Sequence, residues 1–237
     1  RERVWRRRQR RDKSFFDQAV LDLDGTIAAT NGECKQGMGL SYKGIWGYMV
    51  QMISLANTGE PLYLITRSGN AVSHQGMAEW IDRTIERVGR HFKRVLLRGD
   101  TDFALTEKLD EWDEKAQFVF GYDAMPNLIG MAEALPEAQW ERLERPPKYA
   151  VKTRPRRRPA NVKEQIVREK EYLNIRLKHE DLTQFDYRPS KCRKIYRMVV
   201  VRKNLSRERG EHVLFDEVRY FFYITNDEKA TPAEVVF

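Results

Sequence analysis

The sequence predicts an α/β protein, with a mixed β-sheet and helices in its first part and a β-rich section after it. Residues 19–26 and 95–103 each contain an apolar, β-branched run that leads into aspartates. A five-residue turn signal at 57–61 separates two further strand-like segments. Because a link this short joins only antiparallel strands, we expect a sheet that mixes both strand directions.

Hydrophobic periodicity places the elements in order. Alternating apolar residues indicate strands, and apolar residues three or four apart indicate helices. In the first part we predict strands at 18–24, 48–55 and 62–66, a helix at 75–88, a strand at 94–97, a helix at 106–114, a strand at 118–122, and helical turns at 127–134 and 136–143. In the second part we predict a helix at 162–172 and strands at 195–202 and 218–225, joined by a turn at 206–210.

Basic charge is concentrated in two segments. The chain has 43 Lys and Arg against 35 Asp and Glu, which gives a net charge of +8. Residues 1–13 carry eight basic and two acidic side chains and residues 145–170 carry ten and two, so the remainder is net −6. Basic arms beside an acidic core fit a protein that grips phosphates with the arms while the core performs chemistry. Solvated basic linkers would give the same pattern.

Other signals narrow the class of protein. Cys34 and Cys192 form no CxxC pair and the four histidines complete no zinc-binding spacing, so we expect reduced thiols that bind no metal. The sequence contains neither an apolar run near the roughly 20 residues of a membrane helix nor the apolar stretch of a secretory signal. It therefore predicts a soluble, intracellular protein.

The aspartates at the two strand ends form the candidate site. Carboxylates that lie close together need a compensating cation, and hard oxygen ligands of this kind suit Mg²⁺ or Mn²⁺. A metal-dependent phosphoryl-transfer site is therefore expected. Aspartate also favours turns, so the same residues would fit a purely structural role.

One interpretation of the first acidic segment is a phosphatase. Residues 22–26, Asp-Leu-Asp-Gly-Thr, resemble the DxDGT loop of haloacid-dehalogenase-like, Mg²⁺-dependent phosphatases. That resemblance implies that Asp22 is the nucleophile and Asp24 the acid/base. Thr66 or Ser68 would contact the phosphate, and Asp100 or Asp102 would help to bind Mg²⁺. Such proteins need helix crossovers between parallel strands, and the short link at 57–61 has no room for one.

A closer resemblance covers nearly the whole chain. Its motifs lie at residues 24–26, 32–36, 42–48, 54–61, 97–103, 197–205 and 223–226. In this order they resemble the ribonuclease-H-like DDE domain of transposases from bacterial insertion sequences. The resemblance implies metal-dependent phosphodiester hydrolysis and strand transfer at the element ends, with Mg²⁺ or Mn²⁺ as the cofactor.

The resemblance also implies roles for the acids. In that family the first acid precedes Gly/Ser-Thr and the second lies in Asp-Ser/Thr-x-Phe, which makes Asp24 and Asp100 the catalytic metal ligands. Asp22 and Asp102 are secondary candidates. The third acid of the family is a Glu on a helix after the Ile-Thr-Asn strand. Glu211 in a turn and Glu217 in a strand-like segment lack that helical context, and Glu234 lies too near residue 237 to be assigned the role. We expect the third acid to lie downstream and the chain as given to be catalytically incomplete.

The resemblance, together with the Pro-rich, basic run near 146–159, predicts that the chain is divided into four segments. They are a basic N-terminal arm of a truncated region (1–13), a ribonuclease-H-like catalytic core (14–144), a basic connector with a β-rich insertion (145–220), and a return strand toward the missing catalytic helix (221–237). DNA contacts are predicted for Lys35, Lys43, Arg67, Arg154, Arg156, Arg157 and Arg158.

The expected partner is double-stranded DNA, as terminal inverted repeats and as target, bound by a homodimer. No membrane partner is expected, and the predicted location is the bacterial cytoplasm in association with the nucleoid. A non-catalytic DNA-binding relic of a transposase is a further alternative. Such a relic would bind DNA without any dependence on a metal ion.

Overall fold

A computed structural model describes residues 1–32, 35–72, 74–146 and 162–237 of the 237-residue chain. The chain divides into two compact units. Unit 1 comprises Arg1–Asp123, Phe185–Met198 and Tyr223–Ala230, and unit 2 comprises Ala124–Gln184, Val199–Phe222 and Thr231–Phe237. A search of the described helices finds none with the length and apolar character that a membrane span requires.

Helices and strands occur along the chain as the predicted α/β class requires. The helices are α1 (Glu2–Gln9), α2 (Met77–Gly89), α3 (Leu109–Asp113), α4 (Pro126–Glu133), α5 (Val162–Glu169) and α6 (Pro232–Val236). The strands are β1 (Ala19–Ala29), β2 (Gly39–Leu40), β3 (Trp46–Leu55), β4 (Glu60–Ser68), β5 (Val95–Gly99), β6 (Gln117–Tyr122), β7 (Glu141–Arg142), β8 (Leu173–Tyr187), β9 (Tyr196–Arg209) and β10 (His212–Thr225).

The sheet of unit 1 mixes both strand directions. β3 lies antiparallel between β1 and β4, whereas β5 is parallel to β1 and β6 is parallel to β5. In the order of strands across the sheet, the end of β10 lies next to β6, and the Thr225 hydroxyl donates to the Phe118 carbonyl at 2.7 Å. The predicted mixed, ribonuclease-H-like sheet is confirmed. The antiparallel neighbour of β1 contradicts the parallel, doubly wound sheet that the phosphatase interpretation needs.

Helix α2 packs on the sheet of unit 1 as its periodicity predicts. Its buried residues recur three or four positions apart, and the helix contacts β5. The buried set is Met77, Ile81, Thr84, Ile85 and Val88. In β1, alternate residues are buried up to Leu23, which leaves the aspartates on the opposite face of the strand.

Strand β1 extends beyond its predicted end. We expected it to stop at Asp24, because aspartate favours turns and a Gly-rich segment follows it. Instead the following residues continue to pair with β3 as far as Ala29, which is opposite Gly47. The long partner strand therefore overrides the local turn signal.

Unit 2 contains most of the three longest strands. β8, β9 and β10 have 14 or 15 residues each, and β7 pairs antiparallel with β8. The sequence predicted parts of β9 and β10 but missed β8, where the alternation of Leu173, Ile175 and Leu177 is followed by a polar, charged run at residues 178–181. The helical turn predicted at 136–143 is shorter than expected: Glu137–Gln139 form a 3₁₀ turn, and β7 follows after one residue. The predicted turn at 206–210 is too early, because β9 continues to Arg209.

The basic N-terminal segment is a helix fixed to unit 1. Trp5 is 2 % exposed and packs edge-on against Phe92 and His91, with ring centroids 5.4 and 5.5 Å away. The Arg1 guanidinium donates to the Leu62 carbonyl at 3.1 Å. A single large apolar residue thus attaches α1 to the core.

Candidate catalytic site

Asp24 and Asp100 lie at corresponding positions of two neighbouring parallel strands. In the register of β1 and β5, Leu23 is opposite Gly99, and the next residue along each chain segment is one of the two aspartates. The aspartates are close enough for the charge of Asp24 to raise the pKa of Asp100. The structure therefore brings together the two acids that the sequence singled out.

Asp100 is held by the turn that it begins. It precedes the 3₁₀ turn Thr101–Phe103, and its Oδ1 accepts a hydrogen bond from the Asp102 N–H at 3.1 Å. Phe103 is completely buried and anchors the far end of the turn. The aromatic residue of the Asp-Thr-Asp-Phe motif therefore fixes the position of the acid.

Two glycines allow this turn to pack tightly. A Cβ added to Gly99 would lie 3.0 Å from the Cβ of Phe103. A Cβ added to Gly121, on β6, would lie 3.0 Å from the backbone nitrogen of Thr101. A larger residue at either position would displace the acid-bearing turn, because a real Cβ rarely has neighbours this close. The sequence interpretation missed both glycines.

The pKa of Asp100 is raised above its ordinary value. Loss of hydration is the largest cause, and the negative charges of Asp102 and Asp24 add to it. The hydrogen bond from the Asp102 N–H acts in the opposite direction, because it stabilises the charged form. The ionised carboxylate of Asp100 is therefore less favourable here than in water, and a bound cation would relieve that cost.

Asp22 has a cationic partner. Arg98 Nε donates to Asp22 Oδ1 at 2.8 Å, and a second guanidinium nitrogen lies 2.7 Å from the same oxygen. Within the described parts of the chain, no Lys, Arg or His side chain forms an ion pair with Asp24 or Asp100. The parallel register of β1 and β5 places Arg98 opposite Asp22, a contact that the sequence analysis missed although both strands were predicted.

The pair of unneutralised carboxylates fits a divalent cation. Both are exposed, hard oxygen donors, Asp24 within β1 and Asp100 directly after β5, and their repulsion favours a bound cation. The exposed Asp102 lies beside them and contributes negative charge. No group of three or more Asp, Glu, His or Cys side chains capable of holding a metal occurs among the residues described. Two aspartates are therefore the donor set that the structure offers.

Two of the glutamates weighed as a third acid are occupied by other contacts. Glu217 accepts hydrogen bonds from Arg207 and Arg219, which lower its pKa to about 2. Glu234 closes a capping box with Thr231 at the start of α6. Glu211 lies in the turn between β9 and β10.

The predicted DNA contacts differ in their surroundings. Lys35 and Lys43 are exposed in the segment between β1 and β3, and the Lys43 ammonium lies 5.3 Å from the centre of the Tyr42 ring. Arg67 is partly buried and donates to the Gln51 side chain, and burial lowers its pKa. The remaining predicted contacts lie outside the described residues: Arg154, Arg156, Arg157 and Arg158.

Comparison with known protein families agrees with this geometry. A family model described as the transposase DDE domain matches residues 15–236. The chain belongs to this family. It is a transposase, a nuclease-like class of enzyme that acts on DNA, and the resemblance found in the sequence is confirmed. The phosphatase interpretation is wrong. A search of curated proteins gives no match to this transposase.

Proposed function

We propose that this transposase hydrolyses and transfers DNA strands at the ends of an insertion sequence, with Asp24 and Asp100 as two of its catalytic metal ligands. One observation carries the proposal: these carboxylates lie at matched positions of parallel strands, and among the described residues neither has a cationic partner. A purely structural pair of acids would be neutralised, as Asp22 is by Arg98.

Mg²⁺ or Mn²⁺ at this position would lower the pKa of a water or 3′-hydroxyl nucleophile and stabilise the leaving oxygen. The protein supplies the position. The Asp102 N–H orients the Asp100 carboxylate, and the tight contacts of Gly99 and Gly121 fix the turn behind it. Arg98 neutralises Asp22, so the negative charge available to a cation is centred on Asp24 and Asp100.

The substrate class follows from the family, and the finer substrate is part of the proposal. We infer that terminal inverted repeats and target DNA are bound by a homodimer. Because Glu217 and Glu234 are engaged in contacts of their own, we do not place the third acid of the family at either residue. Asp102 is a further carboxylate near the pair, because its negative charge contributes to the raised pKa of Asp100.

Metal binding tests the assignment directly. Mn²⁺ titration can be monitored by electron paramagnetic resonance and by calorimetry. We expect it to show a binding site whose affinity for Mn²⁺ falls at least about 10-fold in Asp24→Asn and in Asp100→Asn. Asp22→Asn is the matched control, since it removes the same charge two residues along the same face of β1. It should retain Mn²⁺ binding, because its carboxylate is already paired with Arg98.

The pH dependence sharpens this test. A ligand carboxylate must be ionised, and the pKa of Asp100 is raised. Mn²⁺ affinity should therefore begin to fall at a higher pH than expected for an ordinary aspartate of pKa 3.8. Loss of binding in Asp22→Asn alone would overturn the assignment. Absence of metal binding in the parent chain would instead support a DNA-binding relic.

A further inference from the structure

Six arginines near the N-terminus form a surface of unpaired positive charge. They are exposed, and within the described residues none forms an ion pair with a carboxylate: Arg3, Arg6, Arg7, Arg8, Arg10 and Arg11. We call this set the N-terminal basic surface. It precedes the residues matched by the transposase family model, which begin at residue 15.

Helix α1 presents this surface from a fixed position. The packing of Trp5 against Phe92 and His91 attaches the helix to unit 1. Successive helical residues are rotated by about 100°. Arg3, Arg7 and Arg10 therefore lie on the side of the helix opposite Trp5, where changes leave the packed face intact.

The basic surface includes a concave site. Val4, Arg7, Arg8 and Arg11 recur at helical spacing and line an open groove of about 340 Å³. Three arginines that line one groove offer guanidinium donors suited to an anion with several acceptor oxygens, such as a phosphodiester. The groove contains no acidic lining residue that would compete for them.

The exposed residues of α1 favour a nucleic acid over a lipid surface as its ligand. Membrane-binding helices combine basic residues with an apolar face that enters the lipid. Here the large apolar residue, Trp5, is buried in unit 1, and Val4 alone among the large apolar residues of α1 is exposed. The helix therefore offers charge without an insertion face.

We propose that the N-terminal basic surface binds the phosphate backbone of duplex DNA, independently of the acid pair and of DNA sequence. The inference rests on the proposed function only for its choice of DNA as partner. Each arginine that contacts a phosphate releases condensed counterions, so this surface contributes to the salt dependence of binding. No metal ion is required for the contact.

The test compares two triple variants of the whole chain that each remove three positive charges. Arg3→Gln/Arg7→Gln/Arg10→Gln removes unpaired arginines. Arg168→Gln/Arg176→Gln/Arg219→Gln removes arginines that are paired with Glu164, Glu208 and Glu217. Binding to a 30-base-pair duplex of arbitrary sequence is measured by fluorescence anisotropy in EDTA, from about 50 to 300 mM NaCl.

For the α1 variant we expect the slope of log affinity against log salt to fall in magnitude by about three, and affinity near 100 mM to fall on the order of 100-fold. The unit 2 variant should retain the parent slope. Equal losses in both variants would overturn the proposal in favour of bulk charge. So would an unchanged slope with loss of binding to vesicles containing an anionic lipid, which would identify a membrane surface.

Failure of this proposal is distinguishable from failure of the catalytic assignment. Asp24→Asn removes one of the proposed metal ligands but leaves α1 unchanged. In EDTA this variant should bind the duplex with the parent salt slope if the N-terminal basic surface is the contact. A loss of slope in Asp24→Asn would show that the acid-bearing region, and not α1, determines DNA binding.

Discussion

The arginines of unit 2 and those of the N-terminal basic surface are in opposite electrostatic situations. In unit 2, seven of the described arginines are paired with carboxylates: Arg142, Arg145, Arg168, Arg176, Arg202, Arg207 and Arg219. In α1 and the turn after it, they have no such partners among the described residues. A paired charge is largely neutralised toward a ligand, whereas an unpaired one keeps its full attraction for phosphate. Net charge alone hides this difference.

The carboxylates of unit 1 show the same division within one strand face. Asp22 is paired with Arg98, whereas Asp24 raises the pKa of Asp100 by its negative charge. Unrelieved repulsion is unfavourable for the folded chain unless a ligand relieves it. Unpaired charge of either sign therefore marks the places where we assign binding, and paired charge marks those where we assign stability.

The largest expected effect concerns the residue that attaches α1. Trp5→Ala removes a completely packed aromatic side chain and should cost about 3–5 kcal/mol of the free energy that holds α1 on unit 1. The helix should then detach and be cut rapidly by trypsin at its arginines. Limited proteolysis followed by mass spectrometry measures the effect, together with urea unfolding monitored by circular dichroism.

Trp5→Phe is the matched control for this change. It keeps an aromatic ring against Phe92 and removes the indole N–H, which is buried without a hydrogen-bond partner. An unpaired buried donor is unfavourable, so the loss of contact area is partly offset and we expect a change within about 1 kcal/mol. Equal trypsin sensitivity of both variants and the parent would contradict the docked position of α1.

The second-largest expected effect is a difference in stability between Arg→Ala substitutions at two positions, Arg202 and Arg7. Arg202 is mostly buried, donates to Glu137 and Asp181, and lies 4.3 Å from the centre of the Trp140 ring. Arg202→Ala should lower the free energy of unfolding by about 3 kcal/mol, because it leaves the buried carboxylate of Asp181 without its main partner. Arg7→Ala should change it by less than about 0.5 kcal/mol.

DNA affinity should respond to these two substitutions in the opposite order. Arg7→Ala should reduce the salt slope by about one, whereas folded Arg202→Ala should keep the parent slope. Urea titration and fluorescence anisotropy on the same preparations provide both quantities. If Arg7→Ala destabilises the chain as much as Arg202→Ala, the division into paired and unpaired arginines is wrong.

The fold was predictable where the pattern is local. The turn at 57–61 indicated the β3–β4 hairpin, and apolar spacing indicated α2, since both signals act over a few residues. β8 was missed because the alternation at residues 173–177 is cut short by a polar, charged run at residues 178–181. Some of those charges, including Glu180 and Asp181, form ion pairs with residues distant in the sequence, such as Arg145 and Arg202. A single-sequence pattern contains no record of such partners.

The candidate site was predictable in its acids and not in their surroundings. Asp24 and Asp100 follow from strand ends and motif spacing. The pairing of Asp22 with Arg98 joins residues 76 positions apart and depends on strand register. The helix at Glu2–Gln9 was missed because its segment is dominated by charge, and its one large apolar anchor, Trp5, gives no periodicity.

The smallest expected effect is the pH dependence of a paired carboxylate. Arg219 and Arg207 lower the pKa of Glu217 to about 2 from an ordinary value of 4.5. The folded state therefore binds a proton less readily than the unfolded state, so the stability from this group is complete above pH 4.5 and is lost as the pH falls toward 2. The urea midpoint of Glu217→Gln should lie below that of the parent at pH 7, and the gap should close over this window. Arg7→Gln, which breaks no ion pair, should show no such convergence, and a pH-independent gap for Glu217→Gln would show that its ion pairs do not stabilise unit 2.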